Sequence, residues 1–224
     1  MSQLTFLWPP HTSYATEDFI VSPSNKEAVD FLASWPNKNS LTALLTGPSA
    51  SGKTHLVQAW ISRVQAHKID KTQLGRIPSE ALWQGHPIAT CEDIESITDE
   101  SALFHLLRHA ETQALSLLLS SSIPASQLHF TLPDLHSRLL AMPCVQLSAP
   151  DEAMLHAFLV KSFSDRQMRI SEEVIVYMLK RMPRSFIAAR ILVDNIEQNS
   201  FRTKKDITIP VIKSLIELDM NLDE

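Results

Sequence analysis

Residues Gly47-Pro48-Ser49-Ala50-Ser51-Gly52-Lys53-Thr54 follow the pattern G-x-x-x-x-G-K-[ST], the arrangement of a loop that wraps a phosphate chain. Each residue type has a physical reason to be there. The glycines let backbone N–H groups turn inward around an anion, Lys53 brings a point charge to the outer phosphate oxygens, and Thr54 offers a hydroxyl to Mg²⁺. The chain holds four glycines, and two of them stand at the two positions this loop demands. The flanks agree with the loop: 41–46 reads as a buried strand, and 55–65 reads as a helix with Leu56, Ala59, Trp60 and Val64 on one stripe. The N-terminus of that helix, from His55 onward, would face the phosphates and add its dipole to the site. His55 itself reads as a structural helix residue rather than a base. The ligand expected is a nucleotide held by its phosphates, with Mg²⁺.

A phosphate loop of this kind needs a carboxylate at the end of a neighbouring strand to organise the metal shell. The segment His86-Pro87-Ile88-Ala89-Thr90-Cys91-Glu92-Asp93-Ile94-Glu95 offers one, with Glu92 orienting Mg²⁺ beside Thr54 and Asp93 orienting the attacking water. The residues leading into it are less apolar than a buried strand requires, so an exposed acidic turn is the competing reading. Cys91 and Cys144 are isolated, which argues against a zinc site or a disulfide framework and is compatible with a reducing compartment. A formal charge of −5 gives no broad basic footprint, so any contact with nucleic acid would be local or carried by a partner. The first residues lack the basic and apolar regions of a signal peptide, and no stretch reaches the roughly 18 apolar residues of a membrane span. A soluble, cytoplasmic protein without membrane contact is expected.

The elements that must position these groups divide the chain in three. Residues 1–15 read as a tail, set off by the turn-rich 9–16; residues 16–150 read as an α/β nucleotide-binding domain; residues 151–224 read as a helical domain. Ser24 or Asn25 can cap a helix carrying Ala28, Val29, Leu32 and Trp35. Apolar runs at 115–120 and 144–147 read as further strands, with helical patterns at 102–113 and 135–140 between them. Strands alternating with helices imply a parallel sheet in a three-layer α/β arrangement. After Pro150 the strand signals stop. Asp151 and Ser171 can cap two helices, and two more follow at about 185–198 and 208–218.

An α/β nucleotide domain followed by a helical lid is the layout of AAA+ proteins, and Gly52-Lys53-Thr54-His55-Leu56 resembles the P-loop of their DnaA branch. The resemblance runs on. Glu17-Asp18-Phe19-Ile20-Val21 is similar to the linker that packs near adenine, which implies a nucleotide contact for Val21. Leu118 to Ser122 falls where the sensor 1 strand belongs. Leu135-His136-Ser137-Arg138-Leu139 resembles the box that carries an arginine finger acting in trans, which implies that catalytic role for Arg138. Lys180 to Phe186 lies at the start of the sensor 2 helix; the aligned position falls near Ile187, between Arg184 and Arg190, and Arg184 is favoured for its place at the helix N-terminus. Thr208-Ile209-Pro210 occurs near the end, as in Hda-type members. Gln3-Leu4-Thr5-Phe6-Leu7-Trp8 is similar to the short peptide with which that group binds the DNA polymerase sliding clamp, which implies clamp contacts for Gln3, Leu4, Phe6 and Leu7.

The sequence departs from the branch at Glu92-Asp93, where initiators have two aspartates, and at Ser122, where a longer polar side chain is usual; both weaken the expectation of self-hydrolysis. Initiators continue past the lid into a basic helix-turn-helix, for which a chain ending at Glu224 leaves no room. The resemblance thus implies a nucleotide-bound regulator, with ADP the favoured ligand, that is tethered to the DNA-loaded clamp and stimulates ATP hydrolysis by DnaA, repressing re-initiation of replication. DNA is then contacted only through the clamp, and a homo-oligomer stays open. The alternatives are a helicase-loader-like AAA+ adaptor and a stand-alone P-loop ATPase or kinase using Glu92 and Asp93 as its own acids.

Overall fold

The computed structural model describes residues 21–37, 40–203 and 207–220, and the chain divides into two compact units, Met1–Ser148 and Ala149–Glu224. In the first unit five strands form one parallel sheet: β1 (Thr42–Thr46), β2 (His67–Lys68), β3 (Ile88–Cys91), β4 (Ser116–Ser121) and β5 (Cys144–Gln146), in the order β2-β3-β4-β1-β5. The helices of this unit are α1 (Lys26–Ser34), α2 (Lys53–Val64), α3 (Ser79–Leu82), α4 (Glu100–Thr112) and α5 (Pro133–Ala141).

Side chains alternate across a strand, so a sheet covered on both faces needs apolar residues at every position of its central strands. β1 and β4 meet this at their centres, 43–45 and 117–119, and carry buried Ser or Thr toward their ends. Ala43, Leu45 and Leu118 join the α1 and α2 residues Val29, Leu32, Val57 and Trp60 on one face. Leu44, Leu117 and Leu119 join Leu103, Leu107, Leu135 and Leu139 of α4 and α5 on the other. The three-layer parallel architecture expected from the alternation of elements is thus the one observed.

Helices α1 and α2 are joined by polar groups as well. Arg63 donates to the α1 carbonyls of Leu32 and Ala33 and, at 3.1 Å, to that of Trp35, satisfying acceptors that a helix end leaves open. The indole of Trp60 donates to the Trp35 carbonyl at 3.3 Å, with the two rings 5.3 Å apart. Asn25 precedes α1 as expected, but its side chain does not cap the helix; its Oδ1 accepts from the Ser22 amide at 2.9 Å and shapes the turn instead.

The second unit is helical: α6 (Glu152–Asp165), α7 (Glu172–Leu179), α8 (Phe186–Thr203) and α9 (Ile209–Met220). Asp151 caps α6 by accepting from the Met154 amide at 2.8 Å. Leu155, Leu159, Phe163, Met178, Val193 and Ile212 form its core. Arg166 closes the end of α6 onto α8 through Asp194 at 2.6 Å and Glu197 at 2.9 Å. Among the described residues no helix is long and apolar enough to cross a membrane.

Candidate phosphate-binding site

The Gly47–Thr54 loop joins the C-terminal end of β1 to the first turn of α2, so the helix N-terminus opens onto the loop. Gly47 has no room for a side chain: a Cβ there would lie 2.3 Å from the Leu147 carbonyl oxygen. Gly52 takes the left-handed conformation at φ 96° that favours glycine, as the N-cap of α2. Ala50, at φ 63°, is left-handed as well, a conformation that costs energy for an L-residue and marks a loop over-determined by its surroundings. Pro48 and Ser49 are exposed, Ser51 is buried, and Thr54 and His55 lie exposed on the first turn of α2.

Lys53 is buried, 7% exposed, and its ammonium donates to the carbonyls of Gly47 at 2.6 Å and Pro48 at 3.0 Å and to Ser122 Oγ at 3.4 Å. Burial pushes its pKa down, while Glu95, Asp93 and Glu92 oppose that shift by their charge. The loop, the end of β4 and the turn after β3 therefore share one electrostatic centre.

That turn carries the acidic residues. Glu92 follows β3 directly and is buried, with Lys68 Nζ of β2 at 2.6 Å from its Oε1. Asp93 is left-handed at φ 55°; its amide donates to Ser120 Oγ at 3.3 Å, and its carboxylate pairs with Lys71 Nζ at 3.4 Å. Glu95 Oε1 accepts from the Ser122 amide at 2.9 Å. Burial works to raise the Glu95 carboxyl, but hydrogen bonds, among them those from Ser122 and Ser121, outweigh it and hold the group below the ordinary carboxylate range. Thr54, Lys68, Asp70, Lys71, Glu92 and Asp93 line one cleft of about 410 Å³ beside the loop. Sequence reading gave no role to Lys68, Lys71 or Glu95. The lysines lie on a strand and turn too short and polar to register as an element, and their pairing with Glu92 and Asp93 comes only from the parallel register of β2 with β3. Cys91, in the same strand, is buried with its thiol pushed up to about 12, chiefly by burial, which leaves it without thiolate character.

Arg138 lies elsewhere. It sits on α5, whose C-terminal end leads into the start of β5, and its guanidinium pairs with Glu111 at the end of α4 and lies 5.4 Å from the centre of the Phe104 ring. Both helices end where strands begin, so Arg138 is carried toward the edge opposite the phosphate loop, which follows the C-terminal end of β1. Val21 is half-buried against the α1, α2 and β1 core. In the helical unit Arg184 is exposed one residue before Ser185, whose hydroxyl caps α8 by accepting from Ile187 and Ala188 amides at 3.2 and 3.3 Å; Ile187 is 58% exposed. Gln3, Leu4, Phe6 and Leu7 lie outside the described residues.

Residues 151–216 match the family model of the Hda lid domain. A protein of Haemophilus influenzae strain KW20 / Rd, described as uncharacterised, is 25% identical over 181 residues, covering 75% of this chain and 78% of its own. Domain III of the replication initiation protein DnaA from Thermotoga maritima superposes with a TM-score of 0.76 at 17% identity, over 95% of this chain and 98% of that one. AMPPCP-bound DnaA from Aquifex aeolicus gives a TM-score of 0.68 at 18% identity over 84% of this chain and 66% of its own. A RuvB variant from Thermotoga maritima gives 0.65 at 16% identity over 88% of this chain and 70% of its own.

Proposed function

We propose that this chain, which carries an Hda-type lid on a DnaA-like AAA+ fold, is a nucleotide-bound regulator that presents Arg138 to ATP held by DnaA and so converts the initiator to its ADP form. The observation that carries this reading is the separation, within one α/β unit, of a complete phosphate loop from an arginine at the opposite edge of the sheet. An arginine in that position is badly placed to serve its own nucleotide and well placed for a neighbour's. Supplied in trans, such a group raises phosphoryl transfer by ~10³ to 10⁵, because it neutralises charge that develops in the transition state. The resident nucleotide, ADP by preference, then serves the structure: held by Lys53 and the α2 N-terminus, it keeps the α/β unit in the form that docks on DnaA.

The tail gives the reading its second half. Leu4 and Phe6 are the apolar anchors of a short peptide that inserts into a clamp pocket, with Gln3 making polar contacts, so the regulator works only where the clamp has been loaded on DNA. Replacing Leu4 and Phe6 by alanine is expected to abolish clamp capture, at a cost of about 2 kcal/mol or more for each anchor, while nucleotide affinity is unchanged. A pull-down on immobilised clamp measures it. Undiminished capture would remove the tether and favour the helicase-loader-like adaptor, which has no use for this peptide.

A further inference from the structure

We infer that this chain binds its nucleoside diphosphate without a divalent cation, the ammonium groups of Lys68 and Lys71 supplying the positive charge that Mg²⁺ would bring to Glu92 and Asp93. The inference rests on the nucleotide-binding reading above and narrows it to the charge state of the bound ligand.

The carboxylates of the cleft are already engaged. Glu92 Oε1 has Lys68 Nζ at 2.6 Å, and Asp93 Oδ2 has Lys71 Nζ at 3.4 Å, itself anchored to Ser96 Oγ at 2.8 Å. Asp70 accepts from the amide and hydroxyl of Thr72 at 2.9 and 2.7 Å, and Glu95 accepts from the Ser122 amide. Magnesium demands a near-octahedral shell of oxygens at about 2.0–2.1 Å and gives up its waters reluctantly. Thr54 and Glu92 border the same cleft, as a metal would need, but Glu92 would have to release a lysine that already neutralises it.

Most of the local negative charge is met without a metal. Lys53, Lys68 and Lys71 stand against Asp70, Glu92, Asp93 and Glu95, and the backbone N–H groups of the loop with the α2 N-terminus remain to receive the phosphates. A strand and turn that place lysines beside the acids of a phosphate site turn an activating centre into a holding one.

Titrating the full-length protein with a fluorescent ADP analogue, once in Mg²⁺ and once in excess EDTA, tests this. Wild type is expected to show the same Kd within about threefold in the two buffers. The Lys68→Ala/Lys71→Ala double variant frees both carboxylates and is expected to bind at least about tenfold more weakly in EDTA than in Mg²⁺. The Lys68→Arg/Lys71→Arg pair, which keeps the charge, is expected to behave as wild type; circular dichroism checks that all three are folded. A tenfold loss for wild type in EDTA would overturn the inference and leave the nucleotide reading intact. A double alanine variant as indifferent to Mg²⁺ as wild type would remove the lysines from the account. Absence of binding in either buffer would overturn both this inference and the nucleotide reading.

Discussion

A lysine 7% exposed is tolerable only because its ammonium has acceptors on several sides and three carboxylates near enough to offset its desolvation. Lys53 is therefore preorganised at the mouth of the loop, and its exchange of carbonyl partners for phosphate oxygens replaces hydrogen bonds to neutral acceptors with bonds in which both partners are charged. Lys53→Ala is expected to weaken ADP binding by about 1.5–3 kcal/mol, or roughly 10- to 100-fold, in a protein that still folds. Isothermal titration reads this directly, and unchanged affinity would dismiss the loop as the site. At this scale the sequence announced the loop, because eight consecutive residues carry the pattern and Gly47 and Gly52 prove to occupy positions where a Cβ clashes or φ is positive. It did not announce Lys68, Lys71 or Glu95, whose meaning is set by partners 27 residues away or less and by strand register, neither of which has a local signature.

Among the elements, α2 and α4 were legible because apolar residues recur at the helical period, and β1 and β4 because each holds a short continuous apolar run of the kind a strand buried on both faces needs. β2 was not: two residues, His67 and Lys68, form an edge strand held by pairing to β3 alone, and no period fits in that length. The edge strand nonetheless leaves a measurable mark. His67 stacks on His86 with ring centres 5.2 Å apart, and burial first, then the charge of His86, lowers its pKa below 6.5, although a hydrogen bond with the Leu82 backbone works the other way. The folded state thus binds this proton less readily than the unfolded chain does. Its contribution to stability is complete above pH 6.5 and is lost as the pH falls from there through the lowered folded value. A thermal melt series across that window is expected to show a falling Tm for wild type and a shallower fall for His67→Gln; parallel slopes would mean that the stacked pair does not set the pH response of this edge.

Taken whole, the molecule is an α/β unit and a helical unit whose order along the chain was readable from the change in pattern after Pro150. The sequence singled out Arg138 only through a resemblance, and it gave no sign of the ion pair with Glu111 or the Phe104 face beneath it, which join α4 to α5 by contacts 27 and 34 residues apart in the chain. That half-exposed pair is worth little to stability, on the order of 0–1 kcal/mol, so Arg138 can be removed without endangering the fold. Loss of function on its removal would then report on reach toward a partner and not on unfolding. The direct measurement is the nucleotide carried by DnaA, loaded with labelled ATP and incubated with clamp on DNA and either wild-type chain or Arg138→Ala. Conversion to DnaA–ADP is expected with wild type and none above background with Arg138→Ala, with no rescue by Arg138→Lys, since a point charge lacks the planar fork that bridges two phosphate oxygens. Equal conversion by wild type and Arg138→Ala, or none by wild type, would contradict it.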